Sequence, residues 1–179
     1  MALYERLQKA YTTQVVENQA FVAGNLNISR QIVEALRQFL DLPSDNIEQT
    51  GSAQALLYLR IDREKGYVVA EDLKSAVTHF PEGKFNFGLG LLLQANDQPK
   101  SKQFANFSFS CDRTGDALNI NVLDQSFEMA FNSSDSLDLA SMCQHIFDGL
   151  LGGLNWRISD EIEKTRVGFD VTPVEDYTG

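Results

Sequence analysis

Several residue types are scarce in this 179-residue chain, and each shortage narrows what the protein can be. Cysteine occurs twice, as Cys111 and Cys143, far apart and in no metal or redox spacing. The opening residues Met1 to Lys9 carry charges where a secretory leader would need an apolar stretch. Together these predict a cytoplasmic protein with reduced thiols rather than a disulfide framework. On the same grounds the N-x-S triplets at Asn27, Asn106 and Asn132 are not expected to carry glycans. Histidine also occurs only twice, as His79 and His145, which leaves little for metal ligation or general-base chemistry. The longest apolar run, Leu89 to Leu93, falls far below the roughly 18 residues of a membrane span, so no membrane role is expected.

Positive charge is short as well. Fifteen Lys+Arg stand against 25 Asp+Glu, a net charge of −10 that disfavours nucleic-acid binding. Motifs with chemistry are missing: there is no nucleophile elbow, H-E-x-x-H, phosphate-binding loop, dinucleotide glycine pattern or calcium loop. Gly88-Leu89-Gly90 sits within a strand pattern, not ahead of a helix. No catalytic residue, metal site or cofactor is assigned.

What is present suits one folded domain, with 43% apolar and 22% charged residues. Leu3, Leu7, Ala10, Tyr11, Val15 and Val22 form a helical stripe, which Gly24-Asn25 is expected to end. Asn27 or Ser29 would cap a second helix with Ile28, Ile32, Leu36 and Phe39, stopped by Leu42-Pro43. The two make a predicted helical hairpin. Residues 55–61 read as a strand, and residues 67–80 fit either strand or helix.

From Phe85 onward the period is two. Phe85, Phe87, Leu89 and Leu91 alternate with smaller residues, as do Phe107, Phe109 and Cys111, then Leu118, Ile120 and Val122, then Phe127 and Met129. Turns are expected at Asp112–Gly115 and Asp124-Gln125. Leu139, Cys143, Ile146 and Leu150 define a later helix. A short helix is expected over 155–164, a last strand over 167–171, and a mobile tail over 174–179. The expected fold is therefore α+β: a four- to five-stranded antiparallel meander with an N-terminal helical hairpin and a C-terminal helix on one face, a single domain over 1–173.

The opposite face of that meander is the most informative pattern. It carries Asn86, Gly88, Gly90, Asn106, Ser108, Ser110, Asn119 and Asn121, and of its fourteen positions only Glu128 is charged. Solvated strands ordinarily carry charge against unwanted association. A neutral, amide-rich face can be buried without desolvating an ion, which predicts contact with another protein or a second copy. Alternatively, Gly88 and Gly90 mark a bend in a curved sheet that holds a small ligand.

Acid is uneven too: residues 1–100 hold 10 Lys+Arg to 12 Asp+Glu, and residues 101–179 hold 5 to 13. The C-terminal acids Asp160, Glu161 and Glu163 form a second candidate surface, one that would steer a basic partner. The functional expectation is a non-catalytic protein-binding module of adaptor, chaperone or inhibitor type, self-associating through the sheet face. The alternative is a small-molecule-binding domain or hydrolase-like enzyme with a cleft between helices and sheet.

Overall fold

A computed structural model describes residues 2–42, 55–95, 98–131, 136–155 and 170–173. The chain opens with α1, Leu3–Phe39, a single helix of 37 residues and about 55 Å. The expected hairpin is therefore corrected to one continuous rod. Gly24 and Asn25 resemble a helix end, yet both are held inside the helix by tertiary contacts. A Cβ on Gly24 would lie 2.7 Å from the Arg113 guanidinium, so glycine admits the arginine. Asn25 is fully buried and bonded to Arg113 and His79. Ser29, a candidate cap, instead bonds its own helix, Oγ to the Asn25 carbonyl at 2.9 Å. The helix stops where expected, through a Schellman pair: Asp41 N–H to Gln38 O and Leu42 N–H to Arg37 O, with Asp41 at φ +51.

The strands are β1 (Leu56–Asp62), β2 (Gly66–Val69), β3 (Thr78–His79), β4 (Lys84–Ala95), β5 (Gln98–Thr114), β6 (Ala117–Val122), β7 (Gln125–Ala130) and β8 (Asp170–Pro173). The sheet is antiparallel along the path β2-β1-β4-β5-β6-β7, with β3 added beside β4 and β8 beside β5. The ambiguous residues 67–80 thus contain most of β2, a one-turn helix α2 (Leu73–Ala76) and β3. Asp72 caps α2, accepting from Ser75 N–H at 2.7 Å. The last helix, α3, spans Ala140–Leu154 and runs through Gly149, Gly152 and Gly153. Of the predicted short helix at 155–164, Asn155 caps the end of α3 and the rest lies outside the described residues, as do the tail and the start of the predicted last strand.

Both meander turns are displaced from their expected positions. β5 continues through Asp112 and Arg113, and the chain reverses at Gly115-Asp116, with Gly115 at φ +59. The β6–β7 turn is Leu123-Asp124, at φ +48 and +60, the mirror-image turn that suits twisted strands. A leucine in that conformation is strained by roughly 1 kcal/mol. Packing holds it there: its side chain lies where a Cβ on Gly149 would come within 2.9 Å, and His145 Nε2 donates to its carbonyl at 3.2 Å.

Alternation decided the core correctly. Phe85, Phe87, Leu89, Phe107, Phe109, Cys111, Leu118 and Ile120 are buried in one cluster with Ile28, Ile32 and Leu36 of α1 and Met142, Cys143 and Ile146 of α3. Phe87 and Phe109 stack with centroids 4.8 Å apart.

Candidate functional site: a projecting helix and a polar sheet face

Strand register brings the predicted sheet-face residues together. Asn86 pairs with Ser110, Ser110 with Asn121, and Asn121 with Ser126, giving a polar row across four strands. Ser126 Oγ donates to Asn121 Oδ1 within that row. Gly88 lies opposite Ser108, and Gly90 opposite Asn106. Asn119 belongs to a flanking row with Asp112 and Glu128, and Lys84 completes it beyond Asp112. Charge therefore returns one row away from the neutral patch.

The face is divided in two. Near β1 it is closed: Leu59, opposite Gly88, is fully buried on this side of the sheet. A Cβ on Gly88 would meet Leu59 Cβ and the Tyr67 ring at 3.1 Å, and one on Gly90 would meet Asn106 Oδ1 at 2.9 Å. The two glycines thus admit side chains of this same chain, and both are buried, as is Asn106. At the other end Ser110 and Asn121 are exposed, and Asn86, Ser108 and Asn119 are half-buried. Among the described residues, Asn86 Oδ1 and Asn119 Oδ1 are shielded from water without a hydrogen-bond partner. Asp160, Glu161 and Glu163, the second candidate surface, lie outside the described residues.

A more prominent feature was not anticipated as a surface. The first half of α1 extends beyond the body as an arm. Leu3 is 77% exposed, and Tyr4, Leu7 and Tyr11 are each 69% exposed. These four lie on the helix face that, further along, carries Asn25, Ser29, Ile32 and Leu36 into the body. One apolar stripe is thus covered at one end and bare at the other. The arm also contains Thr12, Thr13, Val15 and Val16, whose branched side chains weaken a helix. Thr12 and Thr13 turn their hydroxyls back onto Gln8 O and Lys9 O at 2.9 and 3.1 Å. An uncovered helix of this length and composition is marginal in water, so its stability depends on what seats it.

At the root of the arm sits a polar cluster. Arg113 Nη1 donates to Asn25 Oδ1 at 2.9 Å, which leaves the Asn25 amide nitrogen facing His79 Nδ1 at 3.1 Å. Nδ1 therefore accepts, and the imidazole is neutral with its proton on Nε2. Burial pushes the His79 pKa below its ordinary value. The Arg113 guanidinium lies over Phe131 and Phe21, 4.9 and 5.8 Å from the ring centres. Beside this cluster a groove of about 670 Å³ runs between α1 and the β3–β4 turn, lined in part by Glu17, Phe21, His79, Phe80 and Glu82.

The thiols and imidazoles are kept apart. His79 pairs with Phe85 and Phe85 with Cys111, so a phenyl-bearing strand separates the thiol from the imidazole. Both cysteines are buried, and desolvation raises both thiol pKa values. Among the described residues no three His, Cys, Asp or Glu side chains cluster as a metal site, and no helix is long and apolar enough to cross a membrane.

Comparison with protein-family models, curated proteins and solved structures returns no match. The site's own residues carry the functional reading.

Proposed function

We propose that the chain is a non-catalytic protein-binding module of the cytoplasm that docks through the arm of α1. The observation that carries this is the single apolar stripe of α1, sealed against the sheet at Ile32 and Leu36 and bare at Leu3, Tyr4, Leu7 and Tyr11. Leucine and tyrosine at helical spacing are anchors for a groove or a second helix, and tyrosine adds a hydroxyl that tolerates a wet rim. Buried thiols with raised pKa values favour a structural over a nucleophilic role for both cysteines. The test is capture by the tagged full chain, wild type against Leu7→Glu/Tyr11→Glu. A protein retained by the wild type and lost from the variant supports the reading, and equal retention refutes it.

The sheet face supports a second reading, a contact for a basic partner. The exposed Ser110, Asn121 and Ser126, with Asp112 and Glu128 one row away, offer hydroxyl and amide groups beside negative charge to incoming donors. Ser108→Arg with Asn121→Arg would then weaken binding, and association would slow steeply as salt rises. Unchanged binding and a flat salt response would remove this surface.

A further inference from the structure

We infer that the occupant of the arm is the arm of a second copy of this chain, laid antiparallel so that each tip reaches the groove at the other's root. This rests on the docking role of the arm proposed above. Three features of the chain argue for it.

The first is charge. Up to Val16 the arm bears Arg6 and Lys9 against Glu5, a net positive segment in a chain of net −10. Its complement is acidic, and the root groove of the same chain supplies Glu17 and Glu82. The second is spacing. Arg6 and Glu17 are about three turns apart on one flank of α1, beside the apolar stripe. An antiparallel pair crossing near Tyr11 sets each Arg6 against the partner's Glu17, twice by symmetry, whereas a parallel pair leaves the two about three turns apart along the axis. The third is reach. A straight helix cannot fold its own tip back to its root, about 25 Å away, but a second copy brings a tip there. Leu3 and Tyr4 then arrive at the level of Phe21 and the groove mouth, and Leu7 and Tyr11 close the centre. These four side chains from two copies cover about 1,200 Å² in total, the lower edge of a specific interface.

The experiment is sedimentation equilibrium of the full chain from about 1 to about 100 µM, where a micromolar dimer changes mass. Wild type should shift from monomer to dimer across that range. Arg6→Glu and Glu17→Arg should each weaken the dimer tenfold or more, and the double variant Arg6→Glu/Glu17→Arg should restore it. The melting temperature of each variant, read below the dissociation concentration, reports that the body remains folded. Dimerisation weakened by both single changes without restoration overturns the antiparallel seat but leaves the arm as a docking element. A wild type that stays monomeric overturns the inference. The Leu7→Glu/Tyr11→Glu capture then decides separately whether the arm binds a different protein or none. A dimer indifferent to every arm substitution overturns both the inference and the docking role of the arm.

Discussion

The two halves of α1 have the same apolar period and opposite surroundings. Leu36 and Ile32 are fully buried, whereas Leu7 is 69% exposed, although all three lie along one stripe of one helix. Periodicity identifies which side of a helix avoids water. What covers that side depends on how far the sheet extends beneath it. Where the sheet ends, the stripe becomes a surface, and the helix there must draw stability from a partner.

The largest test of this contrast is truncation in the seated half. Leu36→Ala should destabilise the fold by about 3 kcal/mol, because a buried leucine leaves a cavity in a packed core. Urea unfolding measures it, and a loss below about 1 kcal/mol would mean the seated half is not packed as described.

Next is the joint between the halves. Arg113→Ala should destabilise by about 2 kcal/mol, since it strips the charged donor from the buried Asn25 carbonyl and removes the cation from the Phe21 and Phe131 rings. Amide exchange should rise first around residues 21–29. Uniform exchange along α1 would show that Arg113 does not anchor it.

Smaller is the effect of pH at the same joint. His79 is held neutral, flanked by the Asn25 amide and Arg113 on one side and by Glu17 and Glu82 across the groove. Its folded pKa lies below the ordinary value near 6.5, so the unfolded chain takes up a proton first as pH falls. Stability should be full above about pH 6.5 and decline below it, through the folded pKa. His79→Gln should flatten that decline in melting curves. The exposed Asp62 and Asp72 contribute elsewhere. Backbone donors at Lys65 and Glu64 lower the first carboxyl, and Ser75 lowers the second. Their contribution is present at neutral pH and is lost only as pH falls below the ordinary carboxylate range near 3.9.

Smallest is the arm itself. Leu7→Ala should change the unfolding free energy of dilute protein by less than about 0.5 kcal/mol, as for other exposed positions. A loss comparable to that of Leu36→Ala would erase the distinction between the halves.

Much of the body could be read from residues alone. The alternation from Phe85 to Met129 assigns β4 to β7 and their buried sides, because a strand in a half-buried sheet has only two sides to offer. The misreadings fall where local rules compete with distant contacts. Gly24-Asn25 resembles a helix end because glycine and asparagine tolerate left-handed backbone, and here both remain helical because Arg113 needs the room and the bond. Leu123 is a poor turn residue by conformation, yet Gly149 and His145 hold it in one. Gly88 and Gly90 read as a bend or a close approach, and side chains of the same chain, Leu59, Tyr67 and Asn106, are what come close to them. The sheet face was legible as a row of amides, but its division into a closed and an open end was not. The strand that closes it, β1, joins the sheet beside β4 from a distant part of the sequence.

Local periodicity, composition and charge therefore determined the α+β class, the meander, the identity of the core residues and the acidic character of the chain, because each depends on neighbours within a few positions. Tertiary structure decided that α1 is a single rod, that one end of it is bare, and that Asn25, His79 and Arg113 meet at its root. Those outcomes depend on contacts between residues 54 and 88 positions apart, which no short window of sequence contains.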